Sequence, residues 1–66
     1  MVKILDTPIG WLKVRDSALS NGNIIAKVYP GETYQYTQEK DGWYNIILLN
    51  NETGWISAEY SIKISD

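Results

Sequence analysis

Apolar and polar residues alternate along this chain in stretches of three to seven positions, and turn-forming residues interrupt the alternation at short intervals. Val2 and Ile4 flank Lys3, and Pro8 to Gly10 then turns the chain. Leu12 and Val14 alternate with Lys13 and Arg15, as a half-buried strand requires. Asp16 to Asn23 is a polar loop containing Asn21-Gly22. Ile24 to Tyr29 resumes a β-rich run that ends at Pro30-Gly31, a pair suited to a type II turn. Tyr34 and Tyr36 alternate with Thr33, Gln35 and Thr37, and Asp41-Gly42 is a strong hairpin signal. Trp43 to Leu49 is the longest apolar run and reads as the central strand. Asn50-Asn51 supplies another tight turn. Gly54-Trp55-Ile56 opens a short strand, Ser57 to Tyr60 reads as one helical turn, and Ile62 and Ile64 close the sheet. No segment of ten residues keeps a 3.6-residue apolar period; the β-branched pair Ile24-Ile25 and the stop at Pro30 favour strand where a helix would also fit. The pattern predicts an all-β domain built as a small barrel or sandwich.

With 66 residues the chain forms a single domain over 1–66. A domain this small buries only about 60% of its unfolded surface, so its core is thin and needs compensation. Cysteine is absent, which removes disulfides, thiolate metal ligands and a thiol nucleophile. Three Trp and five Tyr without any Phe make the aromatic set wholly amphipathic, which predicts that some rings sit at a half-exposed binding face.

Charge narrows the function. Six basic residues (Lys3, Lys13, Arg15, Lys27, Lys40, Lys63) against eight acids give a net charge of -2, and the basic residues are scattered along the sequence. Nucleic-acid binding requires clustered Lys and Arg, so no nucleic-acid partner is expected. No apolar stretch approaches the ~20 residues of a membrane span, and no basic-then-apolar leader opens the chain. Without His or Cys, neither a Ser-His-Asp nor a Cys-His constellation can be assembled. The acids fall mostly in turns and at ends, so paired carboxylates across a cleft are not expected; Glu39 and Asp41 flank one hairpin as a specificity rim. No catalytic residue, cofactor or metal is expected, and the isolated domain is expected to be a monomer.

Several segments in order resemble the bacterial SH3 domain family: Gly10-Trp11-Leu12-Lys13-Val14-Arg15, Ile24-Ile25-Ala26-Lys27-Val28, Pro30-Gly31-Glu32, Gly42-Trp43-Tyr44-Asn45-Ile46, and Thr53-Gly54-Trp55-Ile56-Ser57-Ala58-Glu59-Tyr60. The resemblance covers about residues 9 to 60. It implies a partly open SH3-like barrel of about five to seven short strands, with one short 3₁₀ turn near the C-terminus. It also implies a binding module in an extracytoplasmic or secreted bacterial protein, excised from a larger multidomain chain and directed at peptidoglycan or another cell-wall component. Ala18 stands where the family usually has Pro, and the mild acidity is unlike the basic balance of many wall-binding members.

The expected ligand-binding residues are Trp43, Tyr60, Trp11, Trp55 and Tyr36. In similar Src-type domains a Trp after the corresponding turn walls the ligand groove, and a Tyr after the helical turn joins it; these map to Trp43 and Tyr60. Trp11 and Trp55 face partly outward because Leu12 and Ile56 alternate inward. Tyr34 is expected in the core, Tyr36 lies on the same face, and Tyr29 belongs to a rim. For each ring the competing role is packing of the small core. Arg15 reads as an inward-leaning structural clamp on a carbonyl or an acid, with Asp16 the nearest acid. Asn51-Glu52-Thr53 fits a glycosylation sequon, read as a chance match. The alternative to wall binding is a protein-interaction or spacer domain that packs against its parent chain or tandem copies, with a neighbouring protein domain as its partner. Recognition of proline-rich peptides is disfavoured, because Arg15 to Ile25 contains no aromatic residue to cradle them.

Overall fold

The computed structural model describes residues 1–64. It holds eight strands: β1 (Val2–Ile4), β2 (Leu12–Arg15), β3 (Ile24–Val28), β4 (Thr33–Tyr34), β5 (Tyr36–Lys40), β6 (Trp43–Ile47), β7 (Thr53–Ser57) and β8 (Ser61–Lys63). A 3₁₀ turn over Ala58–Tyr60 joins β7 to β8. The strands form a five-stranded antiparallel sheet in the order β3-β2-β7-β6-β5 and a three-stranded one in the order β4-β1-β8. The all-β, SH3-like expectation holds, and the number of strands exceeds the expected range for a local reason. The chain bends from one sheet to the other at Gln35, so a single run is divided into β4 and β5, while the Gln35 carbonyl still accepts from Ile47 N–H at 2.9 Å.

Turn chemistry fixes the register. Asp41 and Gly42 both have positive φ, 50° and 85°, the backbone of a type I′ turn, and Lys40 pairs directly with Trp43 across it. Gly31 at φ 89° follows Pro30, and Glu32 N–H donates to the Tyr29 carbonyl at 3.1 Å, closing a type II turn. Asn51 takes φ 66° in the turn between β6 and β7.

The core comprises Val2, Ile4, Leu12, Val14, Val28, Tyr34, Tyr44, Ile46 and Ile56, drawn from both sheets. Each is the inward member of an alternating pair, and Ile46 and Ile56 are wholly buried. Gly54 is buried as well, because a side chain there would collide with Val14 Cγ1 and approach Ile25 Cδ1 at 3.3 Å. β6 is not the middle strand: that place belongs to β7, and β6 lies between β7 and β5. Ile62 points away from the core, half exposed, because the 3₁₀ turn sets the phase of β8 with Ser61 inward opposite Ile4. The buried Ser61 hydroxyl donates to the Ser57 carbonyl at 2.9 Å, so its polarity costs little.

Candidate functional site

A groove of about 360 Å³ lies at one end of the five-stranded sheet. Its lining comes from five regions. Thr7, Pro8 and Ile9 belong to the loop after β1; Trp11, Leu12, Lys13 and Arg15 run along β2; Trp43 and Ser57 sit on β6 and β7; Tyr60 ends the 3₁₀ turn. Ser20 from the loop between β2 and β3 completes it. Most of its surface is carbon, with polar groups placed around it, which suits a ligand with flat apolar parts and a few hydrogen-bonding groups.

Backbone hydrogen bonds between distant segments assemble this groove. Leu5 N–H donates to the Tyr60 carbonyl at 2.9 Å, tying the 3₁₀ turn to the exit of β1. Ala58 N–H donates to the Gly42 carbonyl at 2.8 Å, which fixes the same turn beside the β5–β6 hairpin and hence beside Trp43. Ser57 caps the turn, its hydroxyl accepting from Glu59 N–H at 3.2 Å. The loop before Trp11 is shaped by the Thr7 hydroxyl donating to the Trp11 carbonyl at 2.8 Å and by Gly10 N–H donating to the Thr7 carbonyl at 3.2 Å.

Three of the five expected ligand residues, Trp43, Tyr60 and Trp11, converge here. Trp55 does not line the groove. It shares the outward face of β7 with Ser57 but lies two residues along, opposite Asn45 and Arg15. Beside it Asn45 Oδ1 is buried without a hydrogen-bond partner among the described residues. Tyr36 is also outside the groove. It packs on the core edge, 5.5 Å from the Tyr44 ring in an edge-on arrangement, with Lys63 Nζ 6.0 Å from its centroid. Lys63 itself pairs with Glu39 at 2.6 Å, and that bond holds its ammonium pKa above the ordinary lysine value. Tyr29 is half exposed near the Pro30-Gly31 turn, away from the groove lining.

The structure corrects the reading of Arg15. Its neighbour Val14 takes the inward position, so Arg15 lies on the outward face, half buried, and lines the groove. Its Nη1 donates to the Gly22 carbonyl at 2.6 Å, which makes it a carbonyl clamp on the loop between β2 and β3. Asp16 is not its partner: that carboxylate accepts from Asn23 N–H at 3.0 Å and from Asn23 Nδ2 at 3.3 Å. Lys13, Ser57, Ser20 and Thr7 to Ile9 were not singled out from the sequence. For Lys13 the signal was present, since alternation with buried Leu12 and Val14 puts it on the same outward face as Arg15.

Away from the groove, Tyr34 is held as a phenol. Burial, with a hydrogen bond from its hydroxyl to Glu32 at 3.0 Å, pushes its pKa up to about 12. Glu32 Oε1 also accepts from Tyr29 N–H at 2.7 Å, so this carboxylate staples the type II turn to the core. Among the described residues no cluster of three or more acidic, His or Cys side chains could hold a metal ion, and no helix is long and apolar enough to cross a membrane.

Compared with known proteins, the chain matches the family described as Bacterial SH3 domain over residues 12–61, the greater part of its 66 residues. No curated protein matches it.

Proposed function

Because this chain belongs to the bacterial SH3 domain family, we propose that it acts as a non-catalytic binding module of the bacterial cell envelope. Its ligand is a peptidoglycan peptide or glycan, held between Trp43, Trp11 and Tyr60. The observation that carries this reading is the convergence of those three rings, from three separate elements, on one groove. A ring of this kind offers a large contact area with few rotatable bonds, so ordering it on a ligand costs little entropy. Its face stacks on the apolar face of a sugar or on a peptide stem, while the indole N–H or phenol O–H remains free to hydrogen-bond. Trp55 and Tyr36 take supporting roles in this reading: Trp55 extends the same sheet face beyond the groove, and Tyr36 stiffens the far edge.

Retention of the purified domain on isolated bacterial sacculi tests the proposal, with Trp43→Ala as the control. Trp43 is only partly buried and outside the core, so the variant folds, which its thermal melt checks. Retention that the variant loses supports the wall-binding module; equal retention of both refutes the groove as its site.

A second reading has its own support. Ile24, Ile25 and Leu49 are exposed by 49%, 46% and 93%, on β3 and in the β6–β7 turn, and none of them lines the groove. Exposed apolar side chains of this size fit a spacer domain that rests on a neighbouring domain. Absence of retention on sacculi from several bacteria would favour it.

A further inference from the structure

The two charged side chains that line the groove, Lys13 and Arg15, are both basic, in a chain whose net charge is negative. Residues paired across strands share a face, so the register places the charges. Lys13 pairs with Lys27, and Lys40 pairs with Trp43, all on the outward side. With Arg15 this gathers four of the six basic residues on the face of Trp11 and Trp43. Among the described residues no carboxylate lines the groove. Asp16 binds Asn23, Glu32 binds Tyr29 and Tyr34, and Glu39 pairs with Lys63. Glu52 lies in the far turn; Asp6 and Glu59 adjoin the lining residues Thr7 and Tyr60, and Asp41 lies two residues before Trp43, all three exposed and outside the lining.

This arrangement has a cost. Two ammonium groups directly opposite each other on a strand pair are destabilising. Lys27 relieves part of it by placing Nζ 4.5 Å from the centroid of the Trp11 ring, and that contact also steadies one wall of the groove. Lys13 has no such relief, since among the described residues it has neither an ion pair nor a ring beneath it. Arg15 is oriented by its bond from Nη1 to the Gly22 carbonyl, and among the described residues its remaining N–H groups make no hydrogen bond. A carboxylate lying over Lys13 and Arg15 would supply the missing counter-charge.

We infer that the groove selects a carboxylate-bearing peptide over a neutral glycan, with Lys13 and Arg15 receiving the carboxylate and Trp43, Trp11 and Tyr60 covering the adjoining chain. The inference rests on the proposed function, and deepens it by naming which of the two wall chemistries is bound. The acidic net charge of the domain does not by itself oppose an anionic ligand, because the charged side chains that line the groove, Lys13 and Arg15, are both cationic.

The test is a titration of the ¹⁵N-labelled domain with the tripeptide L-Ala–γ-D-Glu–L-Lys, with the same tripeptide amidated at both carboxyls, and with a neutral chito-oligosaccharide. The free acid is expected to bind about tenfold more tightly than the diamide, with the preference shrinking as salt is raised. Lys13→Gln should remove most of that preference, bringing the affinity for the free acid down toward that for the diamide. Its melting temperature should stay level or rise, because the like-charge pair is gone. Equal affinity for acid and diamide, tighter binding of the oligosaccharide, or indifference to Lys13→Gln would overturn the inference; Trp43-dependent retention on sacculi would still stand. Failure of both tripeptides to bind while sacculi retain the domain overturns the peptide inference alone. Loss of retention as well overturns both readings.

Discussion

Replacing Arg15 by Met keeps the aliphatic stem that covers β2 and removes the guanidinium that holds the Gly22 carbonyl at 2.6 Å. A hydrogen bond from a charged donor contributes roughly 1.5–3 kcal/mol, and partial exposure at this site puts the loss near the lower end, about 1.5 kcal/mol. The structure says where that loss appears. The loop from Asp16 to Asn23 is closed by Asp16 N–H to the Asn23 carbonyl at 3.0 Å, Gly22 N–H to the Leu19 carbonyl at 3.0 Å and Asn23 N–H to the Asp16 carboxylate at 3.0 Å. None of the core residues lies in this loop. The loop can therefore open without unfolding the sheets, and its stability is a local quantity that hydrogen exchange reads directly. In Arg15→Met the amides of Gly22 and Asn23 should exchange about tenfold faster, the factor that about 1.4 kcal/mol represents. Amides in β6 and β7 should keep their protection. Ser20, carried by the same loop, lines the groove, so ligand affinity should fall with the loop's protection. If Gly22 and Asn23 exchange at the wild-type rate, Arg15 does not hold the loop. If the strands of the sheet lose protection equally with the loop, the clamp is a global one and the local argument is wrong.

Two glycines should fail for different reasons. Gly54→Ala drives a methyl into Val14 and toward the Arg15 carbonyl at 3.4 Å, with an expected cost of about 1–3 kcal/mol in a denaturant melt; pairing it with Val14→Ala should recover part of the loss. Gly42→Val meets no atom within 4 Å, and its penalty is the backbone strain of a branched residue at φ 85°, expected at about 2 kcal/mol; a neutral melt would contradict the type I′ hairpin. Tyr34 gives a pH signature. Its folded pKa lies above the unfolded value of 10.0, so its contribution is complete below pH 10 and is lost as pH rises toward about 12. Stability should fall across that window by about 1–2 kcal/mol once solvent screening of the hydroxyl is allowed for, and Tyr34→Phe should flatten the decline.

How far the sequence carries the account depends on the range of the interactions. Asp41-Gly42, Pro30-Gly31 and Asn51 announce their turns because positive φ is a local demand that few residue types meet. Leu12, Val14 and Ile56 announce their burial because strand alternation is equally local. The place of β7 at the centre of the sheet is not local. It follows from the pairing of Arg15 with Trp55, some forty positions apart, and nothing near either residue encodes it. The same holds for the groove, where Trp43 meets Tyr60 only because Gly42 and Ala58 share a hydrogen bond. Trp11 and Trp55 read alike in sequence, and register alone sends one into the groove and leaves the other beside it. Charge shows the same limit. Lys13, Lys27 and Lys40 look scattered along the chain, and strand pairing gathers them on one face.

The central claim is that ligand meets this domain in the groove of Trp11, Trp43 and Tyr60. The most direct measurement follows the three indole N–H resonances, one for each Trp, in ¹H–¹⁵N spectra while a muropeptide digest is added. The account predicts saturable shifts at the Trp11 and Trp43 indoles, with the Trp55 indole moving little. Movement of Trp55 together with Ile24 and Ile25, while Trp11 and Trp43 stay fixed, would contradict it and put the binding surface at the other end of the sheet.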